Sequence, residues 1–167
     1  MIKHKNQRIG VFVDVQNMYY SAKNLYGKKV NFQEILKNAI AERKLIRSIA
    51  YVIKAQTKEE QSFFDALTKQ GFEVKMKDLQ IFPGGMKKGD WDVGIAMDTV
   101  KSADKLDVIV LVTGDGDFQP LVTYLQENKG CLVEVMAFGE TASGKLLEIA
   151  DDFIDLSKSK AKYLLKK

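Results

Sequence analysis

The chain is poor in the residues on which much protein chemistry depends. It has a single cysteine, Cys131, and a single histidine, His4. One cysteine excludes an internal disulfide and a cysteine-cluster zinc site. Its place at the start of an apolar strand reads as a small buried hydrophobe rather than a nucleophile. His4 falls in the polar N-terminal lead, so a Ser-His-Asp triad, a histidine-dependent ribonuclease mechanism and a histidine-rich metal site all lack support. No apolar run approaches the ~20 residues that span a bilayer, and the segment from Met1 to Arg8 lacks a signal-peptide core, so a cytoplasmic protein is expected. Phosphate-binding glycine loops are missing too. Gly84 and Gly85 are not in the Gly-x-x-x-x-Gly-Lys-Ser/Thr spacing, and Gly10 stands alone where a dinucleotide fingerprint needs several glycines.

The 167 residues, 46% hydrophobic and 29% charged, suit one ordinary globular domain. The formal charge of +4 is unevenly spread: Lys158, Lys160, Lys162, Lys166 and Lys167 crowd the last stretch, which has no acids from Ser157 onward. The remainder is nearly neutral. We therefore divide the chain into a domain over residues 1–156 and a lysine-rich tail over 157–167. Such a tail suits attraction to a polyanion such as nucleic acid, or it is a solvated, frayed end.

Short apolar runs alternate with helical patterns along the chain. Val108 to Val112 are consecutive apolar residues, mostly β-branched, and fit a strand buried on both faces. Ile9 to Val13 reads as a similar first strand, followed by a helix from Met18 through Leu25 that stops at Gly27. Asn31 and Glu34 frame a helix start with a stripe of Phe32, Ile35, Leu36, Ala39 and Ile40. Leu45 to Ala55 is strand-like, and Thr57 to Glu60 opens a helix that buries Phe63, Phe64 and Leu67 before Gly71. Phe72 to Leu79 alternates as a half-exposed strand near a sheet edge. Pro83 to Gly85 and Lys87 to Gly89 read as a flexible basic loop, after which Asp90 caps a helix from Trp91 to Ala103. A helix from Asp117 to Asn128, a strand from Leu132 to Phe138, a helix from Thr141 to Ile149 and a short strand from Phe153 to Leu156 complete the order. Strands alternating with helices predict one α/β sandwich with a mostly parallel sheet.

Acids stand where the strands end. Asp14 closes the first run, and Asp115 and Asp117 follow Thr113 between glycines. In open α/β sheets ligands bind at the strands' carboxyl ends. On the next helix, Val93, Ala96, Met97, Val100 and Ala103 form an apolar face at 100° per residue. Asp92 flanks that face in the first turn, whereas Asp98 points nearly the opposite way and lies about 9 Å further along the axis. Gathered at one edge, Asp14, Asp92, Asp115 and Asp117 repel one another unless a cation joins them, and hard oxygen donors select Mg²⁺ or Mn²⁺. Each acid also has an ordinary structural role open to it: Asp90 and Asp92 favour a helix start, Asp115 and Asp117 suit a turn and a cap, and Asn17 suits an N-cap.

Three segments carry a family resemblance: Val11-Phe-Val-Asp-Val-Gln-Asn17, Lys88-Gly-Asp-Trp-Asp-Val-Gly-Ile-Ala-Met-Asp98 and Leu111-Val-Thr-Gly-Asp-Gly-Asp-Phe118. In combination and order they resemble the NYN domain, or LabA-like, group of the PIN-like nuclease superfamily, over residues 8 to 156. The resemblance implies a three-layer, Rossmann-like PIN-type sandwich with a Mg²⁺- or Mn²⁺-dependent ribonuclease site. It implies metal binding and catalysis by Asp14, Asp92, Asp115 and Asp117, with Asn17 orienting Asp14 or a bound water. Thr113 matches a small hydroxyl residue beside the site, and Asp98 a recurrent acid that the helix geometry puts off-site, in support of the fold.

The expected activity is metal-assisted hydrolysis of RNA phosphodiesters, with an endonuclease mode favoured. Lys87, Lys88 and the lysine tail are candidate phosphate contacts. Trp91 or Tyr19 could stack on a base, although burial of Trp91 is the simpler reading. Lys23, Lys28 and Lys29 read as a solvated face. Two other functions fit the same residues: a non-catalytic RNA-binding or regulatory module, and a phosphohydrolase acting on small phosphoesters. No membrane partner is expected, and pairing into a homodimer is left open.

Overall fold

The structure is a computed structural model that describes residues 3–166, apart from the side chain of Lys88. Lys167 of the lysine-rich segment lies outside the described residues. The strands are β1 (Arg8–Asp14), β2 (Lys44–Lys54), β3 (Glu73–Asp78), β4 (Gln80–Ile81), β5 (Lys87–Lys88), β6 (Val108–Val112), β7 (Leu132–Ala137) and β8 (Asp152–Asp155). The helices are α1 (Val15–Tyr26), α2 (Phe32–Ile40), α3 (Glu60–Lys69), α4 (Asp92–Ser102), α5 (Gln119–Lys129), α6 (Gly144–Ile149) and α7 (Lys160–Tyr163).

Six strands form one parallel sheet in the order β3-β2-β1-β6-β7-β8. Parallel strands joined through helices must be covered on both faces, and the side-chain period of two divides each strand between two cores. Ile9, Val11 and Val13 of β1 and Val108, Val110 and Val112 of β6 face α1, α2 and α3. Phe12, Ile109 and Leu111 face α4, α5 and α6. The three-layer sandwich expected from the sequence is therefore present. Among the described residues, no helix is long and apolar enough to cross a membrane.

The strand order reverses between β1 and β6, a topological switch point where a crevice opens at the carboxyl ends. Val13 pairs with Val112 there, so Asp14 and Thr113 emerge side by side.

Four local expectations need correction. First, Lys87 and Lys88 do not lie in a loop but on β5, antiparallel to β4. The reversal is made by Gly84 and Gly85, whose φ values of 94° and 86° disfavour other residues, and the Phe82 amide closes the hairpin by donating to the Met86 carbonyl at 2.7 Å. Second, α4 begins at Asp92, with Trp91 and not Asp90 in the N-cap position. Third, α4 turns a different face inward. Ile95, Thr99 and the adjoining Ala103 are buried, whereas Val93 and Met97 are exposed. Fourth, Asp117 falls in a 3-10 turn over Gly116–Phe118 that precedes α5, and α6 begins at Gly144 rather than Thr141.

The lysine-rich segment is folded, not frayed. Leu156, Tyr163 and Leu164 enter the core beside α2. The Asn31 amide donates to the Tyr163 carbonyl at 2.8 Å, and the Leu165 amide donates to the Lys29 carbonyl at 2.8 Å. Lysines alternate with these apolar anchors, so the segment covers the sheet layer while keeping its charges in water.

A buried ion pair joins the start of β2 to β7. Arg43 and Glu134 have fully buried side chains and meet bidentately at 2.7 and 2.9 Å. The same guanidinium donates to the carbonyls of Ala39 and Ile40 and to the side-chain oxygen of Gln7, which satisfies its remaining directions. Removing one partner of such a pair leaves a buried charge without its hydrogen-bonded counter-ion, with Lys3 Nζ at 3.9 Å the cation left beside Glu134. Arg43→Ala or Glu134→Ala is expected to cost about 3–5 kcal/mol in urea unfolding, and Arg43→Met/Glu134→Leu together less than the two single losses summed.

Candidate metal centre

Strand β1 runs into α1 without a loop, and Asp14 serves both elements. It is the last residue of the strand and the N-cap of the helix, where its Oδ1 accepts the Asn17 amide at 3.3 Å. Its Oδ2 accepts the Thr113 hydroxyl at 3.2 Å. Thr113 is buried, and its Oγ1 in turn accepts the Asp115 amide at 3.2 Å. With that lone pair used, the hydroxyl proton is directed at Asp14. Asn17 is thus not an N-cap. It sits in the first turn of α1, and its side-chain oxygen accepts the Gly114 amide at 3.0 Å, tying α1 to the turn after β6.

Asp115 leads the 3-10 turn and accepts the Asp117 amide at 2.9 Å. Asp92 arrives from the other side on the first turn of α4, and Asp90 accepts its amide at 3.1 Å. The start of α4 is held by Trp91. Its indole N–H donates to the Val52 carbonyl at 2.9 Å, and its ring packs on Tyr51 with centroids 5.3 Å apart. Gly94 makes room for the indole: a Cβ there would stand 2.5 Å from Trp91 Cε3. Trp91 is therefore committed to packing, while Tyr19 is 40% exposed on α1.

Among the described residues, Asp14, Asp92 and Asp115 are the acids that each bring one carboxylate oxygen within 4.8 Å of the others. Asp117 is not in that set. It stands at the rim, close enough for its charge to act on Asp92. Asp98 is remote from the cluster. Its Oδ2 accepts the Tyr51 hydroxyl at 2.7 Å and pairs with Lys75 Nζ at 2.8 Å, fastening the middle of α4 to β2 and β3. Burial alone would raise the Asp98 carboxyl, but hydrogen bonds from Lys75 and Tyr51 outweigh it and hold it below its ordinary value. Lys87 is exposed on the hairpin. Cys131 is buried, as its sequence setting suggests.

The acids open into a cleft of about 300 Å³ lined by Asp14, Gln16, Asn17, Gly89, Asp90, Asp92 and Asp115. None of these is cationic. Asp90 and Gln16 were missed as cleft residues by sequence reasoning. For Asp90 the signal was present, two positions before Asp92 in the same motif, but its value as a helix cap competed with it. Burial lifts the Asp14 carboxyl from 3.8 to about 6; the Asn17 amide and the Thr113 hydroxyl pull it back, and the charges of Asp115 and Asp90 add to the rise. Burial also lifts Asp92 to about 6, reinforced by Asp115, Asp90, Asp14 and Asp117.

This donor set fits a small hard cation. All donors are carboxylate oxygens, the ligand type that Mg²⁺ and Mn²⁺ select, and one oxygen from each of the three acids lies within 4.8 Å of the other two. Both raised acids bind protons in the native state between about pH 4 and 6 that the unfolded chain has released, so their contribution to stability falls as pH rises through that window. Asp92→Asn is therefore expected to raise the Tm of the metal-free protein, relative to wild type, at about pH 7 and to change it little at about pH 4, by calorimetry in EDTA. An ion held by these acids would compete with the same protons, so stabilisation of the wild type by added Mn²⁺ is expected to be largest at about pH 7.5, to shrink by about pH 5 and to be sharply reduced in Asp92→Asn.

Comparison with known proteins agrees with this architecture. The chain is 28% identical over 159 residues to the low amplitude and bright protein LabA of Synechococcus elongatus, an alignment covering 90% of this chain and 84% of that one. A crystal structure of a protein of unknown function from Vibrio parahaemolyticus superposes with a TM-score of 0.88 at 32% identity, covering 99% of this chain and all of the other. The NYN domain profile matches residues 8–157, which contain every strand of the sheet and all three converging acids, and the chain belongs to the NYN domain family.

Proposed function

We propose that this chain is a Mg²⁺- or Mn²⁺-dependent ribonuclease, acting as an endonuclease on RNA in the cytoplasm. The observation that carries this reading is the convergence of Asp14, Asp92 and Asp115 at the sheet's switch point, in a cleft with no cation among its described lining residues. Membership of a family of nucleases supports the reaction class.

In this reading Asp14, Asp92 and Asp115 hold the ion, and Asp117 adds charge at the rim. Once bound, Mg²⁺ or Mn²⁺ neutralises the phosphodiester and lowers the pKa of the attacking water. The chain's own residues prepare that chemistry. Asn17 and Thr113 keep the Asp14 carboxylate in one orientation, so the site costs little reorganisation. Asp98 acts at a distance, as the anchor of α4 on Tyr51 and Lys75. Bare, the cleft repels a phosphate, so substrate affinity is tied to metal loading. Lys87 and Lys88, next to the cleft residues Gly89 and Asp90 in sequence, are assigned to the flanking phosphates.

The test is cleavage of labelled single-stranded and structured RNAs with Mn²⁺, Mg²⁺ or EDTA. Wild type is expected to cut only with metal, and Asp14→Asn and Asp115→Asn to lose roughly 100-fold or more in rate while remaining folded. Equal cutting by wild type and variants would assign the activity to a contaminant. Metal-dependent RNA binding without turnover would replace the nuclease with a binding or regulatory module.

A further inference from the structure

The turn that carries Asp115 is held from two sides. On one side Asn17 accepts the Gly114 amide at 3.0 Å. On the other lies the segment between β7 and α6, residues 138–143, whose Ser143 amide donates to the Gly114 carbonyl at 2.9 Å. The two glycines that flank Asp115 are fitted to this segment. Neither has a positive φ, so neither supplies a backbone angle that other residues avoid. A Cβ on Gly114 would stand 3.1 Å from Ala142 Cα, and one on Gly116 would stand 2.6 Å from Ser143 Oγ and 2.9 Å from Ser143 Cβ. Close approach is what requires glycine at position 116.

The segment is anchored on its far side. Thr141 and Ala142 both donate their amides to the carbonyl of the buried Phe138 at 3.1 Å. The Gly139 amide donates to Asp155 Oδ1 on β8 at 2.8 Å, and Glu140 accepts the Tyr26 hydroxyl of α1 at 3.0 Å. A side chain added at position 116 therefore displaces the turn rather than its neighbour. Rotating the Ser143 hydroxyl away does not relieve the Cβ contact, which must open by about 0.5 Å, the full tolerance of a working site. We propose that Ser143 is a positioning residue for the metal centre: it is the stop against which residues 114–117 seat, and that stop sets the Asp115 carboxylate beside Asp14 and Asp92. The inference rests on the metal-binding reading of those three acids. In this role Ser143 touches neither ion nor substrate.

The probe is Mn²⁺ alone, titrated into the full chain and followed by electron paramagnetic resonance, with amide hydrogen exchange read separately in EDTA. Gly116→Ala should weaken Mn²⁺ binding about tenfold. It should also speed exchange of the Gly114 and Asp115 amides, the donors to Asn17 and Thr113, while β1 keeps its protection. A general loss of stability would speed both. Gly116→Ala/Ser143→Gly removes the obstruction, and should recover most of the Mn²⁺ affinity and the slow exchange. The second substitution is mild in itself, because the Ser143 side chain makes no cap bond to α6 and glycine serves at an N-cap. Wild-type Mn²⁺ affinity in Gly116→Ala would overturn the proposal, and so would a loss that Ser143→Gly does not recover. If Gly116→Ala does not fold, a folded, Mn²⁺-binding pair supports the stop and an unfolded pair overturns it. The metal reading can fail separately: a wild type that binds no Mn²⁺ removes it, and the exchange of the Gly114 and Asp115 amides then decides whether Ser143 positions the turn.

Discussion

The Asp14 carboxylate, gripped between the Asn17 amide and the Thr113 hydroxyl, is the constraint on which the rest of the site depends. It lies where β1, α1 and the turn after β6 meet. Parallel pairing of β1 with β6 delivers Thr113 to it, and the direct passage from β1 into α1 delivers Asn17. Asn17 then secures the Gly114 amide, so the turn bearing Asp115 is tied to the helix that begins at Asp14. One group of hydrogen bonds thus sets the spacing of two acids from strands that are nearly a hundred residues apart in sequence.

Asp92 is delivered by different means. It comes from α4, whose position follows from packing and from two polar anchors. Trp91 fastens the start of the helix through the Val52 carbonyl and the Tyr51 ring, and Asp98 fastens its middle through the Tyr51 hydroxyl and Lys75. Tyr51, fully buried on β2, takes part in both anchors. The rotation of α4 that brings Asp92 to the cluster also leaves Val93 and Met97 in water, and Val93 forms a wall of an apolar groove beside the cleft.

The fold treats its buried charges in opposite ways. Arg43 and Glu134 are buried together, bidentate and fully hydrogen-bonded, so their desolvation is offset locally. Asp14 and Asp92 are desolvated beside other acids, with no cation among the described residues lining the cleft, and their carboxyls are raised from 3.8 to about 6 in consequence. One buried charge is thus matched by an opposite charge, whereas the carboxylates of the cleft are set beside like charges, an arrangement that marks a candidate ligand site.

Much of this was legible in the chain itself. Short apolar runs ending in acids marked β1 and β6, and their parallel arrangement follows from alternating strands and helices, which put Asp14 and Asp115 at one edge. The Gly-Gly reversal at Gly84 and Gly85 read only as a loop, because hairpin pairing depends on partners as short as Gln80–Ile81 and Lys87–Lys88. The face of α4 is not legible from periodicity, which assigns Asp98 to solvent, because Tyr51 and Lys75, contributed by distant strands, let Asp98 turn inward, while the buried Thr99 hydroxyl donates to the Ala96 carbonyl of its own helix. The Arg43–Glu134 pair carried no local signal at all, since its members stand 91 positions apart. Sequence alone therefore determined which acids lie at strand ends and helix starts, since backbone period and turn chemistry are local properties. Only the tertiary structure decided that Asp14, Asp92 and Asp115 converge while Asp117 stays at the rim, because that separation depends on helix rotation and strand register, which long-range packing sets.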